Sequence, residues 1–190
     1  MKTFELNGTL RNEYGKKFAK SLRKQDQIPC NLYGLGENIT FTVNVADVRK
    51  LLYTPDTMVV LLNIDGKQHT AVVKETQFHP VSEICFHIDF LEVNDQKPVT
   101  VQIPVTLTGL AEGVKAGGKL SLGMRKLKVN GIYTNIPERV IVDITNLGLG
   151  KKLAVGDIQM AEGLRLMNPK DQCVAEVKAT RASAEAAAAE

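Results

Sequence analysis

The feature that most constrains this chain is a run of short segments rich in β-branched and aromatic residues. Thr3 to Leu10, Ile28 to Tyr33, Ile39 to Val45, Met58 to Ile64, Gln68 to Lys74 and Ile84 to Val93 all read as β-strands. Asp65-Gly66, between two of them, is a hairpin signal, because both residues tolerate the positive φ that a tight turn requires. Asp47 to Leu52 breaks the pattern with apolar positions at helical spacing, and Thr54-Pro55-Asp56 ends it. A short helix packed on a small sheet is the expectation for this half.

The polar phrase Asn94-Asp95-Gln96-Lys97-Pro98 separates this region from a new alternating strand, Val99 to Leu107. Further strands are predicted at Leu127 to Val129 and Arg139 to Ile144, with Gly-containing segments such as Gly113 to Gly118 between them. The reading is a mostly β chain of two domains, 1–94 and 95–180. Residues 181–190 are Ala-rich and lack an apolar stripe, so they are expected to form a frayed helix or a disordered tail.

An apolar share of 44% with 24% charged residues fits a folded, soluble chain. No apolar run approaches the ~18 residues that a membrane span needs, and the N-terminus has no signal-peptide pattern, so a cytoplasmic location is expected. Cys30, Cys85 and Cys173 lie far apart without a CxxC pairing, which predicts reduced, mostly buried thiols.

The net charge of +3 permits nucleic acid without demanding it, so distribution matters more. Residues 1–96 carry 11 Lys and Arg against 12 Asp and Glu, and residues 97–190 carry 13 against 9. Between residues 11 and 24, however, Arg11, Lys16, Lys17, Lys20, Arg23 and Lys24 are opposed only by Glu13. After the strand-breaking Gly15, Lys16, Lys20, Arg23 and Lys24 recur at near-helical spacing around Ala19, a surface able to straddle phosphates. The same segment also suits a solvated charged loop.

Within Cys85-Phe86-His87-Ile88-Asp89-Phe90, a period of two sends Phe86, Ile88 and Phe90 to the core and His87 and Asp89 to the opposite face. Asp89 can accept from an exocyclic base amine, and His87 can donate or stack; an ordinary solvated strand face gives the same pattern. Gln77 and His79 share a face if the chain there is extended, although by itself that pair suits turn chemistry better than binding. Tyr33 ends a strand, where its phenol can meet a ribose or phosphate and equally can sit at the core edge.

Enzyme motifs are lacking. Gly15-Lys16-Lys17 has no upstream P-loop glycine, Gly34-Leu35-Gly36 lacks the third glycine of a dinucleotide turn, and no G-x-S-x-G elbow accompanies the histidines. His69, His79 and His87 have no close ligand spacing for a metal.

In this order, Gly15-Lys16, Ala19-Lys20, Leu22-Arg23, Ile28-Pro29, Leu32-Tyr33-Gly34, Gln77, His79-Pro80 and His87-Ile88-Asp89-Phe90 resemble the bacterial L-twenty-five ribosomal protein family. The long, two-domain form is called the CTC type. The resemblance runs from about residue 3 to about residue 178 and includes Gly117-Gly118 and Asn135-Ile136-Pro137-Glu138. It implies an N-terminal β-barrel with short helices that binds the loop E region of 5S rRNA through a minor groove, followed by a mostly β second domain.

It also implies RNA contacts at Lys16, Lys20, Arg23, Tyr33, Gln77, His79, His87 and Asp89, no catalysis, no cofactor, no metal and no small-molecule substrate. The expected setting is a monomer within the large subunit in the cytoplasm, with 23S rRNA or neighbouring ribosomal proteins as further contacts. The sequence departs from the family at Lys20-Ser21, where consecutive arginines are usual, and at Phe78, where an arginine usually stands between Gln and His. Lys neutralises phosphate but lacks the planar fork of Arg, so weaker and more salt-dependent binding is expected. The competing reading is a non-enzymatic, stress-related protein-interaction module that acts through the second domain.

Overall fold

The computed structural model describes residues 1–36 and 38–180, and the expectation for the tail at 181–190 lies outside them. The chain divides into two compact units: Met1–Val101 with Ile132–Thr134, and Gln102–Gly131 with the residues from Asn135 onward.

The first unit contains β1 (Lys2–Leu10), α1 (Lys16–Lys24), β2 (Gln27–Tyr33), β3 (Ile39–Asn44), α2 (Val45–Tyr53), β4 (Met58–Ile64), β5 (Lys67–Phe78) and β6 (Cys85–Glu92). Its strands close a barrel in the order β1-β3-β2-β6-β5-β4. β1 runs parallel to β4 from Lys2 opposite Met58 to Gly8 opposite Ile64, and β2 runs parallel to β6 with Cys30 opposite Ile88. The other pairs are antiparallel. Closure leaves no unpaired edge, which suits strands this short.

Asp65 (φ 47°) and Gly66 (φ 83°) make the hairpin between β4 and β5, the two positive φ values matching the twist of the flanking strands. Inside the barrel, Ile28, Cys30, Phe41, Val60, Ile88 and Phe90 have no exposed surface, and the rings of Phe41 and Phe90 lie 5.7 Å apart. Truncating either ring to Ala is expected to cost about 3–5 kcal/mol. α2 starts where the Asn44 carboxamide accepts from Ala46 N (2.9 Å). It buries Val48 and Leu51 in this core and stops at Thr54, before Pro55.

The second unit contains β7 (Val99–Thr108, entering from the first unit), α3 (Glu112–Lys115), β8 (Lys119–Leu122), β9 (Lys126–Gly131), β10 (Val140–Asp143), β11 (Lys152–Ala154), β12 (Arg165–Leu166) and β13 (Cys173–Lys178). One sheet has the order β10-β7-β9-β12 and another β11-β13-β8. Ile103, Leu127, Val129, Val174 and Ala175 are fully buried. The fold class is therefore mostly β, a barrel followed by a second β unit.

Candidate nucleic-acid interface

The geometry of the site begins with two irregularities in the β5–β6 pair. Val73 faces Phe90 but Glu75 faces Asp89, so Lys74 is an extra residue on β5. Gln77 faces His87 but Phe78 faces Cys85, so Phe86 is an extra residue on β6. Each bulge shifts the alternation of faces by one position. The strict period of two that sends Phe86 to the core is therefore wrong: Cys85 (6% exposed) takes the inward place, while Ile88 and Phe90 are buried as expected.

Phe86 instead supports α1. The Arg23 guanidinium lies 4.7 Å from the centre of its ring and donates from Nε (3.2 Å) and Nη2 (3.1 Å) to its carbonyl. The His79 ring meets Phe86 edge-on at 5.3 Å. Only Leu22 of α1 is buried, so these contacts and the half-buried Phe18 and Ala19 tie the helix to the barrel. Gly15 begins α1 at φ 112°, where a side chain would be strained.

α1 presents Lys16, Lys20 and Lys24 at i, i+4 and i+8, all exposed, with Lys17 and Ser21 beside them. Its first turn holds Lys16 and Lys17, no acid and no side-chain cap. Cations at the positive end of a helix dipole are unfavourable, and an arriving polyanion offsets both the charges and the open amides.

Beside the helix, the outward positions of β3, β2, β6 and β5 form a polar row: Thr40 opposite Asn31, Asn31 opposite Asp89, and Asp89 opposite Glu75. Gln77 faces His87 in the next position. Lys16, Lys20, Arg23, Gln77, His87 and Asp89 thus belong to α1 and the β5–β6 pair, and Tyr33 joins at the exposed end of β2.

His87 Nδ1 stands 3.4 Å from Asp89 Oδ1. The carboxylate favours protonation of the imidazole, but burial outweighs it, with Arg11 and Arg23 adding repulsion, so the pKa of His87 falls below its ordinary value. A neutral ring forms no ion pair with the carboxylate, whose remaining acceptor capacity can take a donor from a ligand. The Tyr33 phenol is pushed up, chiefly by burial and then by Asp89 and Glu75, so it stays a donor.

His79 lies just beyond β5 and does not extend the Gln77 face. Its Nδ1 accepts from Val81 N (3.3 Å) and Ser82 N (3.1 Å), which is turn chemistry. His69 is held 2.7 Å from Glu92, and among the described residues no group of three or more potential ligands could hold a metal ion.

Arg11 belongs to the basic run but is not among the contacts that the resemblance implies. Its backbone N donates to Thr40 O (3.1 Å), and its Nε is buried without a partner among the described residues, as is the Asn31 carboxamide oxygen. Counting by twos along β1 from Thr9, whose hydroxyl meets that of Thr42 (2.8 Å), would have placed Arg11 on the same outer side.

Two family models match consecutive parts of the chain: the Ribosomal L25p family over residues 6–90 and Ribosomal protein TL5, C-terminal domain, over residues 98–181. A large ribosomal subunit protein bL25 of Porphyromonas gingivalis is 54% identical over 189 residues, 98% of each chain. The chain belongs to the bL25 family. The bL25 protein of Phocaeicola vulgatus is 48% identical, covering 99% of this chain and 98% of its own, and that of Azobacteroides pseudotrichonymphae is 50% identical, covering 95% and 96%. The role of a bL25 protein is structural, within the large ribosomal subunit. No helix among the described residues is long and apolar enough to cross a membrane.

Proposed function

We propose that the first unit of this bL25 protein binds 5S rRNA, at the loop E region and through a minor groove, and that the chain catalyses nothing. The observation that carries the reading is the outward row Asn31, Asp89 and Glu75 with Gln77 and His87 beside it, lying next to a helix that exposes Lys16, Lys20 and Lys24. The two parts divide the work: cations take phosphates and fix the docking position, while fixed polar groups read base edges. An RNA minor groove is wide and shallow, so it accepts a gently curved strand surface. Asp89 takes an exocyclic amine, the Gln77 amide donates and accepts, and Tyr33 meets the backbone. The setting is the ribosome in the cytoplasm.

The test is a gel-shift titration of the full chain against 5S rRNA and an unrelated RNA of equal length at several salt concentrations. Selective binding to 5S rRNA is expected. Equal, weak binding to both would overturn the reading.

A further inference from the structure

The strongest charge asymmetry outside the first unit lies in two segments of the second that include β9 and β12 of its four-stranded sheet. Lys119 to Gly131 and Leu164 to Lys170 together hold six cations, Lys119, Arg125, Lys126, Lys128, Arg165 and Lys170, and no carboxylate. On β9, Lys126 and Lys128 are exposed and alternate with the fully buried Leu127 and Val129. Arg165 of β12, also exposed, pairs with Asn130, so it continues the line one position further along and one strand over. Alternate residues on a strand repeat at about 6.8 Å and neighbouring strands at about 4.8 Å, so the three charges form one row. Among the described residues, none of the three makes an ion pair.

Charges on edge strands commonly serve to block unwanted strand pairing. That accounts for Arg165, because β12 is an edge, and can apply to Lys126, which lies beyond the two-residue β12, but not to Lys128, whose backbone N and O are already bonded to the segment after β12. The backbone there is also fixed: Lys128 N donates to the Asn168 carboxamide (2.7 Å) and Met167 N to Lys128 O (2.9 Å), so the row is carried on a rigid element.

We propose that this face of β9 and β12 is a second RNA-binding surface, taking the phosphate backbone of large-subunit RNA. The proposal rests on membership of a large-subunit family and not on the 5S rRNA reading of the first unit. Lysine is depleted at protein–protein interfaces, whereas an uninterrupted row of Lys and Arg is the footprint of a polyanion. Each neutralised phosphate releases counterions and adds about one unit to the salt dependence of binding.

The test compares the full chain with a Lys126→Ala, Lys128→Ala, Arg165→Ala variant on two probes: 5S rRNA alone, and large-subunit particles stripped of this protein. On the particles, the slope of log affinity against log salt is expected to fall by about three, while binding to 5S rRNA stays unchanged. A benzophenone amino acid placed at position 128 should cross-link to RNA on reconstituted particles. A slope within one unit of the parent, an equal loss on 5S rRNA, or cross-links to protein alone would each overturn the proposal; the last outcome would point to an acidic protein instead. If the parent chain fails to select 5S rRNA but the variant still loses slope on particles, the first-unit reading falls and this one stands.

Discussion

The Arg23 guanidinium is stacked on the Phe86 ring at 4.7 Å while two of its nitrogens donate to the carbonyl of the same residue. One side chain thereby joins α1 to a bulge in β6, which makes the placement of the lysines depend on a half-buried contact. Arg23→Ala should lower unfolding stability by about 1–2 kcal/mol, the loss of a charged hydrogen bond and a cation–π contact. Arg23→Lys should recover less than half of this, because an ammonium cannot fork onto the carbonyl and lie flat on the ring together. Urea denaturation measures both; an unchanged midpoint in Arg23→Ala would remove the anchoring role.

The same contact marks how far the sequence could be read. Asp65-Gly66 declared its hairpin, and His87 and Asp89 declared their shared face, because each depends on local dihedral preference or strict alternation. The fate of Phe86 did not, since a bulge leaves no trace in residue type and is set by the partner strand. β12, two residues long, and β11, three, are too short for any period to register. In β13, Ala175, Glu176 and Lys178 favour helix locally, and only burial of Val174 and Val177 settles the strand.

Lys16 and Lys20 should separate the two jobs of α1. Lys16→Ala and Lys20→Ala are each expected to reduce the salt slope of 5S rRNA binding by about one. Lys16→Ala should also leave the free protein slightly more stable, by about 0.3 kcal/mol, since a cation leaves the positive end of the helix. Paired salt titration and thermal melts check this, and loss of stability together with loss of binding would contradict it.

Asp89 should act on selectivity. A carboxylate beside phosphates is repelled by any RNA unless a specific donor meets it. Asp89→Asn keeps the shape, removes the charge and replaces one acceptor oxygen by a donor. Affinity for unrelated RNA should therefore rise while affinity for 5S rRNA falls, in a direct competition assay. A uniform shift for both RNAs would assign Asp89 to the solvated face alone.

His87 supplies a pH signature. Its folded pKa is depressed, chiefly by burial, so below the ordinary value of 6.5 the unfolded chain binds more protons than the folded one. The stability that neutral His87 contributes is present above pH 6.5 and is lost as pH falls below it. The folded protein should weaken more steeply between pH 7 and 5.5 than its His87→Gln variant, as followed by urea midpoints. Parallel curves for the two would show that the ring titrates alike in both states.

Phe78 ends β5 one residue past Gln77, opposite Cys85, and is 41% exposed, so the position is open to solvent at the end of the strand where the polar row stops. An arginine there would add a planar cation beside the Gln77 and His87 pair without disturbing the core. Phe78→Arg should change stability by no more than about 0.5 kcal/mol, as exposed substitutions do. It should tighten 5S rRNA binding at low salt and raise the salt slope by about one, by adding one cationic contact. Unchanged affinity and slope would mean that residue 78 lies beyond the reach of the RNA backbone, and that the row from Asn31 to Gln77 already marks the limit of the interface on β5.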